Sequence, residues 1–362
     1  MMIEWRARHP SPSTRVVAGI ENIDFHSVLR AVGGVRLRVA CALCFVFSAL
    51  ILSTAAQAQT CTASMSPIAF GNYSPIGSAT ATTSGTLTVS CTFPLVSLST
   101  VRVCFNLGTG STSTAANLPP RTMGNGANRL SYNLAQTSTP GVLWGATAAG
   151  TTPISITFAA VVLGGTLTRT IPITGTILPN QPTVPTLNNT TTTYTENYSG
   201  TTATANYGFY VLGSPPACSA LTSTTTFPFS VTANVTNNCT IAANTMNFSP
   251  AGLLAAPTLS TSNINVTCTN NNAYRIALNG GSTGNVAARR LTRSGGTETI
   301  AYSLFTTDAR TTIWGDGTAG TAMLTGLGTG LAQTLTVYGR VPAQTTPRPG
   351  TYNDTITATI TF

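Results

Sequence analysis

The chain has 362 residues, enough for two domains of ordinary size, yet it carries only 17 basic and 8 acidic residues. All the basic residues are arginines, and from residue 59 on they are too scattered to form the dense basic groove that binds nucleic acid. Both histidines, His9 and His26, lie ahead of Arg38. The rest of the chain therefore lacks the side chain on which most acid–base catalysis and zinc binding depend. We expect no nucleic-acid partner, no enzymatic activity, no metal site and no cofactor.

The N-terminal region is typical of a secretory signal peptide. Residues 39–52 form an apolar run preceded by Arg36 and Arg38, and Ala56-Gln57-Ala58 is a small-x-small cleavage motif. This apolar run is too short for an ordinary membrane span. We predict a signal peptide over residues 1–58, with the true start downstream so that residues 1–30 are not made.

Six cysteines remain after cleavage of that signal. An even number in an exported chain predicts disulfide bonds, and without a Cys-x-x-Cys pair or a histidine a metal site is disfavoured. The six are Cys61, Cys91, Cys104, Cys218, Cys239 and Cys268.

The exported chain contains one module twice. The spacing from Cys61 to Cys91 is nearly the same as the spacing from Cys239 to Cys268. Tyr132 precedes Trp144 by the same interval by which Tyr302 precedes Trp314, and Arg121 and Arg290 lie at nearly equal intervals ahead of the two tyrosines. The repeat predicts a first domain over residues 59–222, an internal segment over 223–238 and a second domain over 239–362.

The repeat also suggests how the cysteines pair. The second domain has two cysteines, which predicts a bond between Cys239 and Cys268. The first domain has four, which allow three pairings, and analogy with the second domain selects Cys61–Cys91 and leaves Cys104–Cys218. Closing a loop of about 30 residues is worth roughly 3.5 kcal/mol in the chain-entropy estimate.

Both modules have the sequence pattern of β-strands. Short runs of Thr, Val and Ile are broken by Gly, Asn and Pro every eight to twelve residues, and no helical period of useful length follows residue 58. The predicted fold class is all-β, with two tandem immunoglobulin-like (Greek-key) sandwiches.

Two strands with clean alternation have functional interest. An internal one, outside the matched repeat, has the apolar residues Phe227, Phe229, Val231, Ala233 and Val235. The terminal one has Tyr352, Ile356, Ala358, Ile360 and Phe362 on one face. The second domain has no counterpart of the internal strand, so its last strand could border an open groove that accepts a strand from another chain. Alternatively, the second domain closes with its own strands and Phe362 is a buried terminus.

Several segments of the second module resemble the spore coat protein U domain. They are CTIAANTMNFSP (239–250), VTCTNNNAYRIALNGG (266–281), ARRLTR (288–293), IAYSLFTTDARTTIWGDGT (300–318) and PGTYNDTITATITF (349–362). The first module is similar to the same family through CTASMSPIAFGNYSP (61–75), TVSCTF (88–93), YNLAQ (132–136) and WG (144–145), although it has the additional Cys104 and Cys218.

This resemblance implies a secreted subunit of an archaic chaperone–usher pilus, exported through the periplasm to the cell surface. Such subunits are sandwiches that lack one strand, which a periplasmic chaperone and later the next subunit supply, while an outer-membrane usher assembles the fibre. Only Gln59 and Thr60 precede Cys61 after the predicted cleavage, so no donor extension is expected. The resemblance thus implies a tip adhesin for attachment and biofilm formation, with the second domain accepting a strand and the internal strand completing the first.

In the resembled tip adhesins, apolar loops can contact a host or abiotic surface. Candidates in the first domain are Phe93, Leu95, Val96, Leu118, Val142 and Leu143. Trp144 and Trp314 recur at the same place in both modules, which favours a core role over binding of a sugar. An alternative function is a secreted coat or matrix protein that forms no pilus.

Overall fold

The computed structural model describes residues 59–362, apart from 78–79, 115–118, 162 and 212. The predicted signal peptide, residues 1–58, and the candidate loop residue Leu118 lie outside the described residues. The described part is all-β, as predicted, with 3-10 segments at Thr147–Ala149, Cys218–Ala220 and Gly281–Thr283. None of its helical segments is long and apolar enough to cross a membrane.

The first sandwich has an eight-stranded sheet, β1-β3-β8-β6-β5-β9-β12-β2, and a four-stranded sheet, β11-β10-β4-β7. Only two residues connect β1 and β2, which occupy opposite ends of the larger sheet, so that sheet curls until its edges meet. The strands are β1 (Thr60–Met65), β2 (Ile68–Tyr73), β3 (Ala81–Phe93), β4 (Thr100–Leu107), β5 (Arg121–Asn125), β6 (Asn128–Gln136), β7 (Ile154–Phe158), β8 (Gly165–Ile177), β9 (Thr192–Tyr198), β10 (Ala203–Tyr210), β11 (Ser223–Thr226) and β12 (Phe229–Val235).

The second sandwich has a six-stranded sheet, β13-β14-β19-β17-β16-β20, and a three-stranded sheet, β18-β15-β21. The strands are β13 (Cys239–Ala243), β14 (Thr258–Cys268), β15 (Ala273–Leu278), β16 (Arg289–Arg293), β17 (Thr299–Phe305), β18 (Leu324–Leu327), β19 (Ala332–Val341), β20 (Tyr352–Asn353) and β21 (Ala358–Thr361).

Strict alternation of apolar and polar residues builds the cores. In β3, Leu87, Val89, Cys91 and Phe93 are buried, while the residues between them are Thr or Ser and face outward. Threonine suits these outward positions because its β-branched side chain favours a strand and its hydroxyl tolerates water. The same pattern gives each sandwich its own apolar cluster.

Three disulfides join the strands. Cys61 and Cys91 lie opposite each other on β1 and β3, and Cys239 and Cys268 occupy the same positions on β13 and β14. The third links Cys104 on β4 to Cys218, which lies just ahead of β11.

The two sandwiches share a buried arginine beside the repeated tyrosine. Arg121 pairs with Tyr132 across β5 and β6, and its Nη2 donates to the carbonyls of Leu107 and Trp144. In the second sandwich Arg289 pairs with Tyr302 and donates to the equivalent carbonyls of Leu278 and Trp314. The sequence prediction that Arg290 matches Arg121 is therefore wrong by one residue.

Candidate functional site

The internal alternating strand lies inside the first sandwich. Phe229–Val235 forms β12, which pairs antiparallel with β9 and parallel with β2. The predicted inward residues are all buried, with exposed fractions of 7% or less: Phe227, Phe229, Val231, Ala233 and Val235. A segment from outside the matched repeat thus completes both the sheet and the core of the first sandwich.

Aromatic side chains hold the beginning of this strand. The Phe227 and Phe229 rings stack on Trp144 with centroids 5.7 and 6.3 Å apart, and Phe229 also stacks on Tyr198 at 4.7 Å. The Trp144 indole N–H donates to the Phe105 carbonyl at 2.9 Å, as Trp314 donates to Ile276. Both tryptophans are core residues, 3% and 0% exposed, and present no free ring face to a ligand.

The second sandwich is open at the position that β12 fills in the first. Residues 244–250 follow β13 as residues 66–73 follow β1, but they form no strand. Among the described strands, β20 pairs only with β16. A groove of about 860 Å³ lies between residues 244–250 and 351–356. We call it the acceptor groove; its apolar lining includes Met246, Phe248, Leu291, Ile300, Val341 and Ile356.

The lining of the acceptor groove is more exposed than the equivalent surface of the first sandwich. Tyr194 and Tyr198 on β9 are 0% and 2% exposed, because β12 covers them. Tyr352 and Ile356, which follow the same Tyr-x-acid-x pattern, remain half-buried. The acceptor groove therefore combines an unpaired strand edge with an uncovered apolar floor.

A carboxylate anchors β9 in the first sandwich and the residues just after β20 in the second. Glu196 on β9 accepts from the backbone N–H groups of Thr112 at 3.0 Å and Ser113 at 3.3 Å. Asp354 accepts from the Ser282 N–H at 2.8 Å and from the Tyr302 hydroxyl at 2.7 Å. Burial and then the hydrogen bond to Asp354 raise the pKa of Tyr302, so its hydroxyl remains a donor at neutral pH. Residues 352–356 are thus held in place by Ser282 and Tyr302 of the second sandwich itself, without a strand in the acceptor groove.

The predicted terminal edge is divided between the two sheets. Tyr352, Ile356 and Ala358 line the acceptor groove. Ala358 and Ile360 lie in β21, where they pair with Leu278 and Ile276 of β15. In the first sandwich β10 has the same position as β21, and β11 covers its outer edge. β21 has no partner on that edge among the described strands. The exposed Phe362 ends this edge.

Apolar side chains cluster at the end of the first sandwich where β3 and β10 end and β8 begins. The pairs Phe93↔Gly165 and Thr100↔Tyr210 bring the three loops together. We call this cluster the apolar end; its exposed residues are Leu95 (73%), Val96 (77%), Leu98 (63%), Leu163 (84%) and Val211 (57%).

The apolar end includes only part of the predicted loop set. Phe93 is fully buried, because it is the last inward position of β3 and packs on Phe209 at 5.6 Å, so its prediction as a surface residue is wrong. Val142 is 48% exposed on a separate hairpin, and Leu143 is half-buried there and bridges to Ala135. Leu98, Leu163 and Val211 are not among the surface residues predicted from the sequence. Leu163 was detectable, since an apolar residue ahead of Gly164-Gly165 lies in a turn.

Chemistry-bearing clusters are sparse in the described part of the chain. No group of three His, Cys, Asp or Glu side chains there could hold a metal ion. Glu196 is the one acidic residue between residues 59 and 238, and its oxygens are occupied by backbone N–H groups. The two candidate functional features are therefore the acceptor groove and the apolar end.

Comparison with known proteins gives two matches along the chain to one family. The model described as Spore Coat Protein U domain matches residues 47–206 and 225–359. "Protein U" of Myxococcus xanthus is 35% identical over 156 residues, which cover 39% of this chain and 86% of that protein. The two family matches lie in tandem along the chain, and the second, which begins at residue 225, includes β12.

Comparison with solved structures gives two matches at low sequence identity. One is the CsuC–CsuE chaperone–tip adhesion subunit pre-assembly complex from archaic chaperone–usher Csu pili of Acinetobacter baumannii, with a TM-score of 0.45, 14% identity, and coverage of 84% of this chain and 100% of that chain. The other is a chaperone–tip adhesin complex of CFA/I fimbriae biogenesis, with a TM-score of 0.27, 11% identity, and coverage of 82% and 96%.

Proposed function

This chain belongs to the spore coat protein U domain family, and we propose that it is a two-domain tip adhesin of a chaperone–usher pilus. The observation that carries this proposal is the contrast at one strand position, which β12 fills in the first sandwich and which is open in the second. The second sandwich accepts a strand from a periplasmic chaperone and then from the next subunit, with an outer-membrane usher as the assembly site.

The physical reason is the cost of leaving the acceptor groove empty. Its edges carry unpaired backbone groups and its floor is apolar, a combination that favours addition of a β-strand. In the first sandwich, β12 satisfies both needs by pairing on two sides and burying its inward residues, each worth about 1.5–3 kcal/mol when large and aliphatic or aromatic. A strand with the same alternation would do so in the second.

The apolar end supports an adhesive role for the first sandwich. Aliphatic side chains that are more than half exposed are costly in water, and grouped together they mark a contact surface. The proposed target is an apolar abiotic or host surface, whose contact with these loops needs no charge. Attachment of this kind would let the fibre initiate a biofilm.

A second candidate function is a secreted coat or matrix protein, which the similarity to Protein U favours. It would use the same groove for chain-to-chain contacts without a chaperone or usher. The two candidates differ in whether the protein, when secreted by its own cells, is found in fibres that also contain other subunits of the family.

The acceptor groove can be tested with a peptide of residues 223–238, which already fills the equivalent position in the first sandwich. Fluorescein-labelled peptide should bind the full mature chain saturably, measured by anisotropy. Binding should be lost with a Val231→Asp peptide, and with an Ile300→Asp protein, because each places a carboxylate in the apolar contact. Equal binding of all three pairs, or of none, would overturn the proposal.

The adhesive role has a separate test. The triple variant Leu95→Ser, Val96→Ser and Leu163→Ser should lower adsorption to polystyrene beads at least tenfold. The matched control replaces Leu253 and Leu327, two exposed leucines of the second sandwich, with serine and should adsorb like the unaltered protein. Equal losses in both variants would show that adsorption is not located at the apolar end.

A further inference from the structure

A close joint connects the two sandwiches, and most of its contacts on the first sandwich come from the loop between β8 and β9, with a further one from Ser74, which accepts from the Asn238 side chain at 3.3 Å. The Thr186 N–H donates to the Asn270 carbonyl at 3.0 Å, and the Asn271 side chain donates to the Thr186 carbonyl at 3.1 Å. The Asn270 side chain donates to the Thr183 carbonyl at 2.6 Å. Side-chain amides of the second sandwich therefore donate hydrogen bonds to the backbone of residues 183–186.

Further contacts make this joint specific. The Asn189 side chain bonds both backbone groups of Ala273, at 3.0 and 2.9 Å, and Asn237 donates to the Asn189 carbonyl at 3.0 Å. Gly330 lies so near Pro182 that a Cβ would overlap the Pro182 carbonyl oxygen. On the side of the second sandwich, the joint is thus formed by the residues just before Cys239, by the residues that follow Cys268 and by Gly330 between β18 and β19.

The repeat places an equivalent loop at the free end of the second sandwich. Gln181 bonds both backbone groups of Ser131, at 2.6 and 2.9 Å, and Gln344 bonds both backbone groups of Ala301, at 2.9 and 3.0 Å. Ser131 and Ala301 each precede the repeated tyrosine. Residues 345–349 therefore follow Gln344 as residues 182–186 follow Gln181, but they contact no other sandwich in the described chain.

We propose that residues 345–349 are the docking surface for the body of the next subunit, a partner of the same domain family. The inference rests on the proposed function, since the strand that fills the acceptor groove must lead into that body as β12 leads into Cys239. The partner's contacting residues are the segment before its first cysteine and the loop after its second, presenting side-chain amides as Asn237, Asn270 and Asn271 do.

The charges at this loop restrict which partner surfaces could dock there. Arg348, whose side chain is 80% exposed, lies 3.7 Å from Glu298, and Arg293 lies 3.6 Å from the other oxygen of the same carboxylate. Two cations share one anion, so these three side chains carry a net charge of +1. This charge suits a neutral amide-bearing or acidic loop and opposes a basic one.

Residues 346–349 also line one side of the acceptor groove, so the identity of the crosslinked peptide must separate docking from strand binding. Site-specific photocrosslinking in the full chain, produced by its own cells, gives that identity. p-Benzoylphenylalanine replaces Arg348 in the docking loop, Ile300 in the acceptor groove, or Asp308, an exposed position that is our matched control (its side chain is 77% exposed). Crosslinked peptides are identified by mass spectrometry. The Arg348 probe should reach the loop after the second cysteine of a family neighbour, at least tenfold above Asp308, and the Ile300 probe should reach its donor strand.

The possible outcomes separate the two proposals. Crosslinks from Ile300 to a donor strand, with none from Arg348 to the neighbour's body, would overturn the docking surface and leave the acceptor groove intact. No crosslink from Ile300 would remove the proposed function and the docking surface with it. Crosslinks from Arg348 to an unrelated protein, or equally from Asp308, would also contradict the docking surface.

Discussion

The main difference between the two sandwiches is at one strand position, which is filled in the first and open in the second. β12 lies between β9 and β2 in the first, and Val231 and Ala233 are at most 1% exposed there. The equivalent position in the second is a groove lined by half-buried side chains such as Phe248 and Ile300. One module can thus be completed from within its own chain while its copy keeps the same position free for a partner.

The ends of the sandwiches differ in a related way. The loop after Cys268 carries Asn270 and Asn271 and is covered by the first sandwich. The loop after Cys91 occupies the same place in the first sandwich, yet it carries Leu95 and Val96 and is exposed. The polar loop after Cys268 thus contacts the neighbouring sandwich, whereas the apolar loop after Cys91 is exposed.

The largest expected effect comes from placing a charge in the filled position. Val231→Asp should destabilise the first sandwich by at least about 4 kcal/mol, because it buries an unpaired carboxylate. Ile300→Asp should cost the free second sandwich about 1 kcal/mol, since that site is still open to water. Denaturant unfolding followed by Trp144 or Trp314 fluorescence, with the other tryptophan replaced by Phe, reports each sandwich. Similar losses in both would mean that the acceptor groove is closed.

The extra disulfide offers the next test. Cys104–Cys218 fixes the chain just ahead of β11, and the second sandwich has no counterpart. Replacing both cysteines with serine should destabilise the first sandwich by about 3 kcal/mol and leave the second unchanged. Chemical denaturation of the same single-tryptophan proteins measures this. A loss shared by both sandwiches would contradict the account.

The buried arginines give a smaller effect that should be equal in the two sandwiches. Arg121→Met and Arg289→Met each leave buried carbonyls without a donor, and each should cost its own sandwich about 2 kcal/mol. Arg290→Met is the matched control and should change the free energy of unfolding by less than about 0.5 kcal/mol. If Arg290→Met proved the more damaging, the alignment of the repeats would need revision.

The sequence predicts the fold class well because the β pattern has a period of two and occurs twice. The mistaken match of Arg290 with Arg121 also follows from this period of two. A shift of one residue moves a side chain to the opposite face of a strand, and spacing to Tyr302 alone does not fix that register. The burial of Phe93 was predictable from the sequence, because Leu87, Val89, Cys91 and Phe93 form one alternating series.

Other features depend on contacts that spacing does not encode. The alternation of β12 is visible in the sequence, but its place between β9 and β2 depends on a crossing from the smaller to the larger sheet between β11 and β12. Leu98, Leu163 and Val211 meet only because the strand pairing brings their loops to one end. The role of Asn270 likewise becomes visible only when the two sandwiches are in contact.

Hydrogen–deuterium exchange along β9 and along residues 352–356 tests whether the acceptor groove is open. In the full mature chain, backbone amides of residues 192–198 should be protected, and those of residues 352–356 should exchange at least a hundredfold faster. Adding the peptide of residues 223–238 should protect residues 352–356 without altering 192–198. Protection of residues 352–356 in the free protein, equal to that of 192–198, would contradict an open acceptor groove.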